Sequence, residues 1–132
     1  MSKEILNIIG NAMSSLGLEY GFGEYSGNAK GEFVYPYYIG DYEESEPLTE
    51  DGLFESTFMI TGFARGKGAR LALEDAKTKI EKYFNPIAGR RGITSSGSAV
   101  AIFYAGSFPV PKEDAELKSI QINLSIKEWK VI

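Results

Sequence analysis

The chain has 132 residues, no cysteine, no histidine, and 14 basic against 18 acidic side chains, for a formal charge of -4. Such a length fits one domain, residues 1–132, that can bury roughly two thirds of its unfolded surface. The missing residue types exclude disulfides, thiolate metal sites and imidazole-based triads, leaving only carboxylate, lysine or tyrosine chemistry. The acidic balance argues against a protein whose main task is gripping phosphate backbones. No apolar run approaches the roughly 20 residues that span a bilayer, so a soluble protein, cytoplasmic at synthesis, is expected.

In chain order, Ser2 is placed to cap a helix whose apolar positions Ile5, Ile9, Ala12 and Leu16 recur at three and four, with Leu6 and Met13 beside them. Gly17 followed by Leu18 is a stop signal with its hydrophobic contact. Gly10 inside the pattern costs about 1 kcal/mol against alanine, so packing rather than propensity must hold this helix.

From Glu19 to Tyr42 the chain is rich in aromatics and glycine. Tyr20, Phe22 and Tyr25 precede a turn at Gly27 to Gly31, and Phe33, Val34, Tyr35, Tyr37, Tyr38 and Ile39 follow it, which predicts a hairpin. Pro36 lacks a ladder donor, so the second strand should lie at an edge or be bulged there. The tyrosine row suits half-buried strands and subunit contacts better than ligand stacking, because Lys30 is the only base between Glu19 and Glu55. The stretch Asp41 to Gly52, DYEESEPLTEDG, reads as a solvated acidic loop, and the alternating ligands and fixed glycine of a calcium loop are absent.

Leu53 to Phe63 predicts a strand with Phe54, Phe58 and Ile60 on one face and Leu53, Glu55, Thr57, Met59 and Thr61 on the other. ARGKGAR follows it, without the spacing of a phosphate-cradling loop. Ala69 to Phe84 predicts a helix with an apolar stripe of Ala69, Leu73, Ala76, Ile80 and Tyr83, ended by Asn85 and Pro86. Its wet face offers the i,i+4 pairs Arg70–Glu74, Asp75–Lys79 and Lys77–Glu81.

Ile87 to Ser98 reads as a glycine and serine loop carrying Arg90 and Arg91. Ala99 to Ala105 predicts a central strand, Gly106 to Glu116 a turn, and Leu117 to Val131 a long strand in which Ile120, Ile122, Leu124 and Ile126 alternate with Gln121, Asn123, Ser125 and Lys127. These last two strands should form an antiparallel hairpin. The expected fold class is α+β: a single antiparallel or mixed sheet with two helices packed on one face. The opposite face would carry some of Tyr37, Phe63, Phe103 and Trp129, and exposed aromatic patches mark association.

An N-terminal helix, a strand ending PYYIGDY, an acidic loop, a strand FMITGF, a helix ALEDAKTKIEKYF and a hairpin closing on a long alternating strand together resemble the tail terminator and minor tail proteins of long-tailed bacteriophages and related prophages. The resemblance covers nearly the whole chain. It implies a homo-oligomeric ring, usually a hexamer, that caps the tail tube and joins it to the head. Its partners would be the tail tube protein and head-tail connector proteins, and DNA would pass transiently through the ring without specific binding. It further implies a place in the virion tail after assembly in the host cytoplasm, with no enzymatic activity, cofactor, metal or membrane. Position and chemistry nominate Tyr37, Tyr38, Asp41, Glu43, Glu44, Glu46, Arg65, Lys67, Arg90, Arg91 and Trp129 as subunit-interface or lumen residues. The alternative is a small ligand-binding or regulatory α+β domain with a pocket at the tyrosine-rich hairpin.

Overall fold

A computed structural model of the chain describes residues 1–43, 46–47 and 52–130. The elements in order are α1 (Lys3–Ser15), β1 (Glu19–Phe22), β2 (Tyr37–Tyr42), β3 (Glu46–Pro47), β4 (Leu53–Arg65), α2 (Ala69–Phe84), β5 (Arg90–Ile93), β6 (Ala99–Val110) and β7 (Leu117–Trp129). They make one mixed sheet in the order β1-β2-β4-β7-β6-β5, with the short β3 also paired to β4. Both helices cover the same face, which makes the fold α+β.

The alternating C-terminal segment sits at the middle of this sheet. β7 pairs antiparallel with β4 on one side, from Leu53↔Trp129 to Arg65↔Leu117, and with β6 on the other. Side chains alternate across a strand, so one row of each strand faces the helices. That row is Phe58, Ile60 and Ala64 of β4, Ile120, Ile122, Leu124 and Ile126 of β7, Val100, Ile102 and Tyr104 of β6, and Tyr38 of β2, all buried.

Local signals set both helices. The Ser2 hydroxyl accepts the Ile5 N–H at 3.3 Å. Gly17 at φ +74 ends α1 by turning the Leu18 N–H back to the Met13 carbonyl and its own N–H to that of Ser14, each at 3.0 Å. Ile5, Ile9, Ala12 and Met13 are the buried side. At its N-terminal end α1 is tied to the far edge of the sheet, where the Glu4 carboxylate accepts the Ser95 N–H at 2.9 Å. α2 buries Ala69, Leu73, Ala76, Ile80 and Phe84 over β4, β6 and β7, with Phe84 rather than Tyr83 completing the stripe. Arg70 meets Glu74 at 3.3 Å, whereas Lys77 turns back to Glu74 at 3.8 Å instead of forward to Glu81.

Three expectations are corrected. β1 and β2 are not a hairpin but a parallel pair, Glu19↔Tyr37 to Phe22↔Gly40. The connection between Phe22 and Tyr37 is long enough to carry the chain back to the same end, as parallel pairing requires, and Pro36 lies just ahead of β2 rather than within it. The segment read as a flexible loop contains a strand, β5, which forms a hairpin with β6 through a turn where Thr94 N–H meets the Ser98 carbonyl and Gly97 N–H the Thr94 carbonyl. β6 runs past Ala105 to Val110, crossing a bulge between Tyr104 and Ser107 where Gly106 takes φ +114. Half of the acidic loop, residues 44–45 and 48–51, and Val131 at the end of the long strand, lie outside the described residues.

Candidate functional site

No helix or strand among the described residues covers the sheet face opposite the helices; only Tyr25 and Phe33 of the β1–β2 connection and Lys112 lie over its Tyr37–Phe63 end, and it is here that the exposed chemistry gathers. Its row comprises Tyr37 and Ile39 of β2, Thr57, Met59, Thr61 and Phe63 of β4, Gln121, Asn123, Ser125 and Lys127 of β7, and Phe103 of β6, all half-buried. At one end the rings stack: Tyr25 on Tyr37 at 4.7 Å between centroids, Tyr37 on Phe63 at 5.2 Å and Phe33 on Tyr37 at 5.7 Å. Lys112 reaches to 5.2 Å from the Phe63 ring centre. The middle is polar, with Gln121 Nε2 donating to Asn123 Oδ1 at 3.0 Å. At the other end Phe103 lies between two cations, Arg91 at 5.7 Å and Lys127 at 5.8 Å. These line an open hollow of about 500 Å³ with Ile87 at its rim, 87% exposed.

The nominated residues divide. Tyr37 and Trp129 take the open face by strand alternation, Trp129 being 38% exposed. Tyr38, one residue on from Tyr37, is fully buried against the helices and is a core residue, which corrects its nomination as a contact. Asp41 and Glu43 are exposed at the end of β2. Glu44 lies outside the described residues, as does the side chain of Glu46, whose backbone is in β3. Arg65 is held by Asp114 at 2.8 Å, and Lys67 is exposed in the turn before α2.

Arg90 and Arg91 are adjacent in a strand and so point to opposite faces. Arg90 turns to the helix side, donating from Nε to the Tyr83 carbonyl at 2.8 Å with its guanidinium 3.9 Å from the Tyr83 ring centre. Arg91 turns to the open face. The structure therefore brings Arg91 together with Lys127 and Phe103 but separates it from Arg65, tied to Asp114 in the loop at 111–116, and from Lys67 in the turn before α2. Sequence reasoning missed Lys127, Lys112 and Phe33 as members of this face. The odd-numbered register of β7 carries the signal for Lys127; a loop residue such as Phe33 leaves none.

The hydrogen bond from Arg65 holds the Asp114 carboxyl below the usual range, helped by the Glu116 N–H, and the same bond raises Arg65. Burial pushes the Tyr20 hydroxyl up to about 12, with the nearby Asp41 charge adding to it, and burial raises Tyr38 further. Neither change makes an acid or base useful near neutral pH. Among the described residues no three acids converge to hold a metal ion, and no helix is long and apolar enough to cross a membrane.

No family model matches the chain, and no curated protein matches it. Solved structures do. One, whose designation carries no functional word, aligns over 100% of this chain and 99% of its own with a TM-score of 0.64 at 14% identity. At that identity the likeness establishes the fold and extends it over the whole chain.

Proposed function

We propose that this chain is a structural protein of a phage or prophage tail, one subunit of a ring that terminates the tail tube and joins it to the head. The observation that carries the reading is the sheet face that no helix covers, aromatic at one end and cationic at the other, with the exposed acids Asp41 and Glu43 at the end of β2. Arg91 on the edge strand β5 and Lys127 on the central strand β7 flank Phe103 on the other side. A head-to-tail interface lets one end meet the other around a circle, and closure then uses every such surface. Rim ion pairs contribute only about 0 to 1 kcal/mol each, so aromatic burial supplies affinity and charge sets register. The resemblance in element order adds the hexameric count, the tail tube and connector partners, and the passage of DNA. No catalytic step is part of this function.

A ligand-binding domain would need a pocket at the tyrosine segment. There the rings of Tyr25, Phe33, Tyr37 and Phe63 stack on one another, which favours contact over ligand capture.

Sedimentation velocity over rising concentration, alone and with purified tail tubes, tests the reading. A closed oligomer is expected without any small molecule. A monomer under all these conditions overturns it.

A further inference from the structure

Two strands, β1 and β5, close the ends of the sheet, and each has one side without a partner among the described residues. β5 pairs with β6 from Arg90↔Ile102 to Ile93↔Ala99. In an antiparallel pair, alternate residues exchange both backbone bonds with the partner strand while those between direct theirs outward. Thr94 N–H donates to the Ser98 carbonyl at 2.8 Å, so the same register makes Gly92 with Val100 and Arg90 with Ile102 the bonded pairs. Arg91 and Ile93 therefore present their N–H and C=O groups to the free side.

At the opposite end, Gly23 N–H donates to the Gly40 carbonyl at 2.8 Å, and Phe22 lies opposite Gly40 in the parallel register. Backbone groups alternate along a strand, so Glu19 and Gly21 direct theirs to β2 while those of Tyr20 and Phe22 point outward. Among the described residues no turn or loop bond takes these up. The connection after Gly23 leaves this edge open because it crosses the open face instead. There the Glu24 carbonyl takes the space where a Gly21 Cβ would stand, and Tyr25 stacks on Tyr37.

A bare edge is a template for another strand, and these two match in direction. Each step from β5 through β6, β7 and β4 to β2 is antiparallel and the step from β2 to β1 is parallel, so β5 and β1 run the same way. Copies related by rotation about an axis along the strands would thus bring β5 beside a parallel β1. The faces match as well. In a parallel ladder a residue bonds to the two that flank the one opposite it, so Arg91 and Ile93, bonding to the free groups of Tyr20 and Phe22, stand opposite Glu19 and Gly21. Arg91 lies on the open face over Phe103, and so does Glu19, whose carboxylate accepts the Tyr25 hydroxyl at 3.2 Å. The join therefore sets a positive side chain beside a negative one and brings Ile93, 79% exposed, against the Glu24 backbone over Gly21. Sliding the register by two residues keeps the backbone bonds but loses the ion pair. A two-fold contact of β5 with β5 would leave β1 bare.

We infer that β5 is a strand-addition site for β1 of a second copy of this chain, in parallel register with Arg91 opposite Glu19 and Ile93 opposite Gly21. This rests on the ring reading and specifies its contact: the sheet runs on from subunit to subunit, and every copy keeps its helices on the same side.

Charge exchange followed by sedimentation tests it. Arg91→Glu alone and Glu19→Arg alone should each weaken self-association about tenfold per contact, with an unchanged circular dichroism spectrum. Both changes in one chain should restore assembly, because the pair re-forms with its signs exchanged. In the unaltered chain, amide exchange at Tyr20, Phe22, Arg91 and Ile93 should slow on assembly. Single variants that assemble like the unaltered chain, or a folded double variant no better than either single one, overturn the edge pairing and leave the ring standing. A monomeric unaltered chain removes the ring and this contact together. Should Glu19→Arg fail to fold for want of the Tyr25 bond, the exchange rates decide, and unchanged rates at Tyr20 and Ile93 refute the inference.

Discussion

The ring of Tyr38 occupies the space over Gly62 directly across the β2–β4 pair. A Cβ built on Gly62 would come within 2.5 Å of Tyr38 Cε1 and 3.2 Å of Ile120 Cγ2. Gly40, two residues from Tyr38, plays the same part for Tyr20, whose hydroxyl would lie 2.3 Å from an added Cβ. Two glycines in the buried row thus make room for two tyrosines, and the helices close over them. Gly62→Ala should destabilise by roughly 1 to 3 kcal/mol, the cost of overpacking a filled core. Urea denaturation checks this, and a change near zero would show that the ring swings aside freely.

Ile80 lies on the buried stripe of α2, fully shielded over the central strands. Ile80→Ala leaves a cavity under β7 and should cost about 2 to 5 kcal/mol. A loss below about 1 kcal/mol in chemical denaturation would contradict the packing of α2 on the sheet.

Alkaline pH should unfold the protein through Tyr20 and Tyr38. Their folded-state values are raised above the ordinary 10, Tyr20 to about 12, by burial. The folded chain then holds protons that the unfolded chain has released, so this contribution is complete below pH 10 and is lost as pH climbs through 10 toward the folded values. Neither hydroxyl has a hydrogen-bond partner among the described residues. Tyr38→Phe should therefore keep or modestly raise stability at pH 7, by up to about 1 kcal/mol, and flatten the decline above pH 10. An unchanged alkaline slope would show that Tyr38 does not drive it.

What was legible in the chain was local or periodic. Ser2, Gly17 and the three-and-four spacing of α1 and α2 state their elements within a few residues, and the row from Ile120 to Ile126 states its buried face. Strand direction is another matter. Gly27 to Gly31 reads the same whether the chain reverses or loops back, and the parallel outcome depends on distant contacts such as Tyr25 on Tyr37 and Gly23 N–H on the Gly40 carbonyl at 2.8 Å. β5 escaped notice because RRGI has no apolar alternation when all four residues are exposed. For the candidate site, treating YPYY as one row hid that Tyr37 and Tyr38 face opposite ways, and pairing Arg90 with Arg91 hid the same thing. Once a strand is assumed, the period of two separates both pairs.

That separation makes the two arginines distinguishable by measurement. Arg90 closes the C-terminal turn of α2, bonding the Tyr83 carbonyl at 2.8 Å and lying 3.9 Å from the Tyr83 ring centre, and a cation at that helix end also suits the backbone dipole. Arg90→Glu should lower stability by roughly 1 to 2 kcal/mol, since it removes a cation–π contact and a hydrogen bond and places a like charge at the negative helix end. Arg91 sits on the open face over Phe103, with only a long 3.4 Å contact from Nε to the Ala88 carbonyl. Arg91→Glu should change stability by no more than about 0.5 kcal/mol. Its effect should fall on assembly, and more strongly at low salt, because screening shortens the reach of rim charges. Thermal unfolding and sedimentation of the two single variants, at low and high salt, separate the roles. Equal stability losses in both, or unaltered assembly of Arg91→Glu at low salt, would remove Arg91 from the contact surface.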